Sequence, residues 1–339
     1  MITWQDNTKM SQDEWVYGKL KTIGASEVGP IVLGSQYTSA LEIFYHKIGM
    51  YKPPITNIRA FLGLQTEDVT ETVWKFYDKT DDSVAINHKA GKQIKDCENR
   101  KATCFNSKYA HLSATPDRVI KPYGIYEGRG FGSLEFKNTQ SFILKKYSPG
   151  LPPDNIFQLV TQNMLADFQY GELFYFKDNR SFEGHQMERK DAKKIEQLIV
   201  SRTVDFWDRV TKAKPLYNQQ FEAKRKFNFK LAAEIEQEIV KLEPPVQYCD
   251  GYLRFINENY KSRASLGSKQ AEAAEIQKAL KYKEIAKKID KLEKEKQGIE
   301  IDLKRAMNGA SILSLGNIGD VSWQQYENRK VFKINIKNK

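Results

Sequence analysis

In the first third of the chain, apolar residues recur at steps of three and four positions. This spacing predicts an amphipathic helix over residues 39–49, ending at a glycine, and a second helix from about residue 59 to residue 78. Pro53-Pro54 would separate the two helices, and Glu67 would lie inside the second. We therefore expect the chain to open with helices broken by turns.

From about residue 82 to residue 137 the pattern changes to short apolar runs bounded by turn residues, which is typical of strands and hairpins. The predicted strands cover residues 83–86, 101–105, 112–114, 118–120 and 132–136. Farther on, residues 155–166 and 190–210 predict helices, and the aromatic-rich run 172–176 predicts a strand. This order predicts an α/β (α+β) protein, in which helices pack on a mixed sheet.

Beyond Lys214-Pro215 the composition shifts to lysine, glutamate and alanine. Apolar residues there alternate by three and four positions, which predicts a coiled coil or a helical hairpin. Residues 321–323 and 331–336 predict a terminal β-hairpin. We therefore expect a core over residues 1–215 and a helical extension over residues 216–339. The apolar stripe, interrupted at Lys296, consists of Tyr282, Ile285, Ile289, Leu292, Ile299, Leu303 and Ala306.

The net charge favours an anionic partner but does not identify one. Among 339 residues, 54 Lys and Arg against 43 Asp and Glu give a formal charge of +11. Nucleic acid is a common polyanionic partner, although excess lysine also keeps surfaces soluble. The three cysteines, Cys97, Cys104 and Cys249, form neither a disulfide framework nor a zinc pair. With no secretory signal or membrane-spanning run, we expect a cytoplasmic protein.

The segments around Asp117 and Glu135 carry the candidate chemistry. In a strand, Glu135 and Lys137 would share one face, while Phe136 would point into the core. With Asp117 from a neighbouring strand, two carboxylates could hold Mg²⁺ and leave positions open for water. The backbone carbonyl of Phe136 could supply a further oxygen. These groups suit phosphodiester hydrolysis, in which a metal activates water and Lys137 orients the water or helps deprotonate it and offsets phosphate charge.

Two other interpretations of these residues remain open at the sequence level. A strand with alternating charges is often simply a solvated sheet edge. Alternatively, Glu127 could be the acidic partner of Asp117. In that case the E-x-K arrangement would be lost, because Gly128-Arg129 follows Glu127. An extended hairpin between Asp117 and Glu135 would instead preserve the geometry.

Four local patterns occur in order along the chain. They are Gly24-Ala25-Ser26-Glu27, Gly63-Leu64-Gln65-Thr66-Glu67, Asp117 with Glu135-Phe136-Lys137, and the glutamine-bearing segment Phe157-Gln158 through Gln162. With these patterns, the sequence over approximately residues 15 to 215 resembles the YqaJ-type viral recombinase and lambda-exonuclease family of phage nucleases. The resemblance implies a PD-(D/E)xK restriction-endonuclease-like core and Mg²⁺, with Mn²⁺ as a substitute.

The resemblance also implies roles for residues outside the acidic centre. Ser26, at a helix N-terminus, would hold a DNA 5′-phosphate together with Lys19, which stands where the family tends to carry arginine. An ordinary helix cap and a surface lysine are the structural alternative. Glu67 would assist the metal centre. Either Gln158 or Gln162 could reach the reacting groups, and the spacing favours Gln158.

The function implied is a DNA exonuclease that digests duplex ends in the 5′-to-3′ direction and leaves 3′ single strands for recombination. Its expected partners are DNA ends, a single-strand annealing protein and further copies in a ring-like oligomer, inside the bacterial host of a phage or prophage. Two alternatives remain. One is an endonuclease of the same fold; an iron–sulfur subgroup would need four cysteines. The other is a non-catalytic DNA-binding assembly protein with a degenerate core.

Overall fold

The computed structural model describes residues 1–52, 58–260, 270–326 and 329–336. The chain separates into two units, Met1–Ala264 and Ser265–Lys339. The boundary expected after residue 215 falls inside one continuous helix, Lys193–Arg225, which contains Pro215. A second helix, Phe229–Lys241, packs against it. The predicted break at Pro53-Pro54 lies outside the described residues.

The first unit contains ten helices within its described ranges. Ser39 caps the third by accepting the Glu42 N–H, and Gly49 ends it in the left-handed region at φ 91°, as the sequence predicts. Described helices in both units are too short or too polar to span a membrane. In the first unit they are α1 Gln12–Lys19, α2 Ala25–Leu33, α3 Ala40–Ile48, α4 Ile58–Phe76, α5 Asp81–Lys89, α6 Ser141–Lys145, α7 Pro153–Ala166, α8 Lys193–Arg225, α9 Phe229–Lys241 and α10 Asp250–Tyr260.

Nine short strands accompany these helices. Five form a sheet in the order β3-β6-β7-β8-β9, in which β7 and β8 run parallel and the other neighbours antiparallel. This arrangement confirms the prediction of an α/β protein with a mixed sheet. The strands are β1 Ile2–Asp6, β2 Ile23–Gly24, β3 Cys97–Glu98, β4 Ala102–Asn106, β5 Leu112–Ser113, β6 Arg118–Ile120, β7 Gly132–Thr139, β8 Tyr170–Lys177 and β9 Ser181–Glu188.

The central strand β7 separates two packed layers. Leu134 and Phe136 enter a buried cluster with Trp74 of α4 and Phe174 of β8. Side chains of successive residues in a strand point to opposite faces of the sheet. Glu135 and Lys137 therefore face helix α7, which contacts both β7 and β8. The sheet is thus covered by α4 on one face and by α7 on the other.

Several elements differ from the sequence prediction, among them α5 and β9. Residues 83–86, predicted as a strand, lie inside helix α5. Thr80 caps this helix by accepting the Ser83 N–H, and Asp81 and Asp82 occupy its first turn. A short apolar run cannot distinguish a strand from a helix, whereas these capping residues can. Strand β9, which pairs with β8 along its length, was not predicted.

Within its described residues, 270–326 and 329–336, the second unit contains one long helix and a three-stranded sheet. Helix α11, Ala273–Met307, ends at Asn308 in the left-handed region. Strands β10 Ile312–Ser314, β11 Gly319–Tyr326 and β12 Arg329–Ile336 follow and pair antiparallel in that order. The predicted apolar stripe is therefore carried by a single helix, and β11 and β12 form the predicted terminal pair.

Helix α2 packs closely against α7 at Gly29. A Cβ atom there would lie 2.7 Å from the Asp154 Cα. We therefore expect Gly29→Ala to lower the free energy of unfolding by about 1–3 kcal/mol, because the added methyl group overpacks the contact. Gly18→Ala in α1, where the same atom meets open space, should instead stabilise by up to about 1 kcal/mol. Denaturant titration measures both, and equal effects would contradict this packing.

Candidate active site

The β6–β7 hairpin brings the two predicted acidic residues together. Asp117 immediately precedes β6, and β6 pairs antiparallel with the start of β7, which carries Glu135. Residues 121–131 form the connection, with a short 3₁₀ turn inside it. Glu127 is exposed in this connection. The hairpin thus places Glu135, rather than Glu127, beside Asp117.

Asp117 is fixed to β7 by a hydrogen bond to the backbone. Its Oδ2 accepts the Phe136 N–H at 2.8 Å. The ladder between β6 and β7 ends at the Arg118–Leu134 pair, so the carboxylate occupies the space where further pairing would continue. Since the N–H and C=O of a strand residue point to the same side, the Phe136 carbonyl also faces this gap. Asp117 and Phe136 therefore direct oxygen atoms to one place.

Glu135 and Lys137 share the α7 face of the sheet and bond directly. Lys137 Nζ donates to Glu135 Oε1 at 2.7 Å and to the Gln158 side-chain oxygen at 2.9 Å. Gln158 in turn donates to Glu135 Oε1 at 2.5 Å. The three side chains form a closed triangle of hydrogen bonds. This triangle fixes both the acid and the amine on one face of β7.

The structure brings both candidate glutamines to the site. Gln162, one turn after Gln158 on α7, is fully buried and donates to Glu135 Oε2 at 2.7 Å. Its own side-chain oxygen is buried without a hydrogen-bond partner among the described residues. A carboxylate has about four acceptor positions. Three described donors use three of them on Glu135, so Oε2 keeps one lone pair for a further ligand.

The charges at this site interact strongly. Burial raises the pKa of Asp117 well above its usual value, and nearby Glu135 raises it further, against the effect of Lys137. Burial lowers the pKa of the Lys137 ammonium, but Glu135 and Asp117 more than compensate and leave it raised. Lys137 is therefore charged at neutral pH. A cation between the acids would relieve their repulsion.

Glu67 reaches the same region from helix α4. Burial raises the pKa of Glu67, and Glu135 contributes to the increase while Arg118 opposes it. Glu67 also contributes to the raised pKa of Asp117. Its Oε2 accepts a hydrogen bond from Arg118 at 3.3 Å. Glu67 is thus near both acids but is held by an arginine.

Arg118 was not identified from the sequence. Only 2% of its side chain is exposed, and its guanidinium donates to Glu71 at 2.5 Å, to Asp68 at 3.0 Å and to the Asp117 carbonyl at 2.8 Å. It therefore ties α4 to the residue that carries the first acid. The spacing of Glu67 and Glu71, one turn apart on a helix, is the signal that could have indicated a buried cation opposite them.

Asp154, in the first turn of α7, is an acid near the site that the sequence did not indicate. Burial raises the pKa of Asp154, while a hydrogen bond with Ser35 and the charge of Lys137 oppose the increase. The same residue contacts Gly29 of α2. Helix α2, with Ser26 in its first turn, thus packs on the helix that carries Gln158.

Ser26 and Lys19 lie near the start of α2. Ser26 is exposed in the first turn of this helix, whose N-terminal Gly24 N–H donates to Glu27 at 2.7 Å. Glu27 is also bonded to Lys47 at 2.7 Å. Lys47 donates to the Lys19 carbonyl at 2.6 Å, while the Lys19 ammonium lies 3.4 Å from the centre of the Trp15 ring. A helix N-terminus and two lysines therefore occur together here.

The oxygen donors at the sheet fit Mg²⁺. The remaining positions are Asp117 Oδ1, one lone pair of Glu135 Oε2 and the Phe136 carbonyl. In the four ranges that the structure describes, no three His, Cys, Asp or Glu side chains form a metal-ligand group. Mg²⁺ needs no such group, because it is commonly held by one or two carboxylates and keeps several waters. Two carboxylates and a carbonyl would leave room for water and phosphate.

Comparison with known proteins gives distant structural matches. The fold is similar to an alkaline exonuclease (LHK-Exo) from Laribacter hongkongensis, with a TM-score of 0.43, 16% identity, and coverage of 63% of this chain and 99% of that one. In complex with dAMP, that exonuclease matches with the same score and identity over 61% and 99%. SSO0001 matches with a TM-score of 0.29 and 16% identity over 56% and 82%. No protein-family model and no curated protein matches the sequence.

We expect Arg118→Met to lower the free energy of unfolding by about 3 kcal/mol or more, since it leaves partly buried carboxylates without their cation. Asp68→Asn is the matched control. It removes one partner of the same guanidinium, but the Asp68 side chain is 95% exposed, and exposed ion pairs contribute little. Denaturant titration of both variants measures the difference. Similar stabilities would show that the arginine has no structural role.

Proposed function

We propose that the chain is a metal-dependent DNA exonuclease that hydrolyses phosphodiester bonds at the end of β7. The observation that carries the proposal is the hydrogen bond from the Phe136 N–H to Asp117. This bond holds the Asp117 carboxylate beside Glu135 of the adjoining strand β7. Lys137 lies on the same face of β7 as Glu135. This combination supplies oxygen ligands and a fixed positive charge within one site. The proposal depends on this geometry rather than on the distant structural matches.

Asp117, Glu135 and the Phe136 carbonyl would hold Mg²⁺, with Mn²⁺ as a substitute. When bound, the ion would neutralise phosphoryl charge and lower the pKa of a water ligand. Glu135 keeps its orientation through the donors Lys137 and Gln158. Each donor also limits the rotation of the carboxylate, which favours a fixed position for the oxygen that remains available.

Lys137 would act on the phosphate and the attacking water. Its ammonium has three N–H groups, and two of them are used by Glu135 and Gln158. The third could donate to a phosphoryl oxygen or to the nucleophile. A charged donor at a site where negative charge develops stabilises the transition state. Lys137 would thereby orient the water and offset charge on the scissile phosphate.

Gln158 and Glu67 would have supporting roles. Gln158 bridges the acid and the amine through both ends of its amide, so it would maintain their separation while substrate binds. Glu67 lies within electrostatic reach of Asp117 and Glu135. It could bind a metal-coordinated water through its carboxylate. Arg118 limits the movement of Glu67 toward the centre.

The start of α2 would bind the terminal 5′-phosphate of the DNA. Exposed backbone N–H groups at a helix N-terminus attract phosphate, and the Ser26 hydroxyl is available in this first turn. Lys19 would add a point charge from the preceding helix. Because α2 packs on α7, a phosphate bound there would be held at a constant distance from Gln158 and the acids. That distance would define which bond is cut.

Digestion from 5′-phosphorylated ends would leave 3′ single strands. We further propose that these strands serve phage-type homologous recombination through a single-strand annealing protein. A ring-like oligomer around the duplex would allow successive cuts without an energy source. The polarity, the partner and the ring follow from the family resemblance of residues 15–215.

End-labelled linear duplex incubated with the protein and Mg²⁺ tests the activity. We expect stepwise loss of terminal nucleotides that stops in EDTA and is absent on covalently closed circles. Equal cutting of circular DNA would instead indicate an endonuclease of this fold. If neither linear nor nicked DNA is degraded, while both are bound, a non-catalytic assembly protein would be indicated.

Lys137→Ala should reduce cleavage by about 10²–10³-fold, the usual loss when one donor to developing negative charge is removed. DNA binding should change little, because one charge is lost from a strongly basic chain. Lys226→Ala, at the exposed end of α8, is the matched control for loss of a positive charge. Single-turnover cleavage and an electrophoretic binding assay separate the two effects. Unchanged turnover in Lys137→Ala would remove the lysine from the mechanism.

Ser26→Ala and Lys19→Met should each weaken the preference for 5′-phosphorylated over 5′-hydroxyl duplex ends. The reason is that each removes a donor to the terminal phosphate and leaves the acids intact. Competition between the two duplexes, labelled differently in one reaction, measures the preference. If both variants keep the wild-type ratio of rates, the phosphate site lies elsewhere.

A further inference from the structure

Helix α11 exposes its apolar stripe within the second unit. Ile285, Ile289, Leu292 and Ile299 have 46%, 49%, 61% and 53% of their surfaces exposed. They follow the alternating steps of three and four residues that place side chains along one seam of a helix. A continuous apolar seam of this kind is uncommon on a protein surface unless another element covers it.

The heptad positions of the seam can be assigned directly. Tyr282, Ile289, Lys296 and Leu303 occupy the a positions. Ile285, Leu292, Ile299 and Ala306 occupy the d positions. Lys296 is the single charged residue in the seam. Its placement distinguishes between the two possible orientations of a partner helix, because a lysine that faces a lysine is repelled in a desolvated core.

A second copy in parallel orientation would be disfavoured. In parallel coiled coils each a residue faces the same a residue of the partner, so Lys296 would meet its own copy. The flanking g and e positions would also place Glu295 against Glu300 of the other chain. Only Lys288 with Glu293 would be attractive. The charges thus oppose this arrangement.

The antiparallel orientation resolves these conflicts. Each a residue then faces a d residue of the other chain, so Lys296 would lie opposite Ile285 and could extend its ammonium to water. Ile289 would lie opposite Leu292. In the same register the g positions would pair Lys288 with Glu295. A further flanking pair, with the same signs, would be Lys281 with Asp302.

We propose that α11 binds a second copy of this chain as an antiparallel two-helix coiled coil centred between Ile289 and Leu292. The arrangement is self-complementary, as a twofold interface requires, because each contact occurs twice. Lys288 bonds Glu284 of its own helix in an exposed pair, and such pairs exchange partners at little cost. The apolar seam and the charged residues on either side of it both favour a second copy of this chain as the partner.

A groove beside the seam suits the same partner. It has a volume of about 860 Å³, and Leu292 and Ile299 of α11 form one side. Trp323, Phe332 and Ile334 of the terminal sheet form the other. In the antiparallel register the partner's N-terminal half, which carries Tyr282 and Ile285, would lie along this groove. The aromatic wall would then cover side chains that are otherwise exposed.

Sedimentation of the full-length protein over a wide range of concentration tests the proposal. The wild type should show a reversible association step that doubles the mass, whether or not the first unit also forms the proposed ring. Leu292→Glu should abolish this step, whereas Leu280→Glu, with similar exposure but outside the seam, should leave it unchanged. Circular dichroism checks that both variants keep their helix content. A wild type that stays monomeric throughout, or equal effects of both variants, would overturn the proposal.

A charge exchange tests the antiparallel register. Lys288→Glu should raise the dimer Kd by about tenfold or more, because two like-charged pairs then face each other. Adding Glu295→Lys to the same chain should restore the wild-type Kd. A double variant as weak as the single one would contradict the register. Dimerisation insensitive to both changes would show that another surface forms the dimer.

Disulfide trapping tests the orientation independently. Under mild oxidation the double variant Tyr282→Cys, Ile299→Cys should give a covalent dimer, since these positions face each other between antiparallel chains. The single variant Tyr282→Cys should not exceed the wild-type background, which the native cysteines set. Trapping of the single variant would indicate parallel helices and overturn the proposal. Because nuclease activity is not the readout, these results are independent of the proposed function.

Discussion

The hydrogen bond between the Asp117 carboxylate and the Phe136 N–H is the contact on which the candidate site depends. It is possible because β6 stops pairing with β7 at Leu134. The backbone N–H of Phe136 on β7 is therefore left without a strand partner, and Asp117 accepts it. A sheet edge is normally completed by another strand. Here a side chain completes it, and this substitution brings two carboxylates and a backbone carbonyl to one point.

Concentrated negative charge at this point is balanced from both faces of the sheet. On the α7 side Lys137 bonds Glu135, and on the α4 side Arg118 bonds Glu67 and Glu71. The two cations differ in their surroundings. Arg118 is buried, and four of its five N–H groups bond α4 and the Asp117 carbonyl, whereas the Lys137 side chain is partly exposed at the site.

Sequence periodicity predicted the face of β7 correctly, because the alternation in Glu135-Phe136-Lys137 is a local property of a strand. It could not identify Arg118 as the partner of α4, since that pairing depends on how the helix crosses the sheet. Likewise, the composition change at Pro215 suggested a domain boundary, but α8 continues through the proline and α9 packs against α8. Local pattern thus predicted which side chains share one face of β7, and tertiary packing determined the residues that support them.

Diffraction from crystals soaked in Mn²⁺ tests whether Asp117 and Glu135 hold a metal ion together, since anomalous scattering locates the ion without reference to activity. We expect a peak within coordination distance of Asp117 Oδ1, Glu135 Oε2 and the Phe136 carbonyl, with the Lys137 bond to Glu135 retained. A peak that excludes either carboxylate, or no ordered ion at this end of β7 at saturating Mn²⁺, would contradict this expectation.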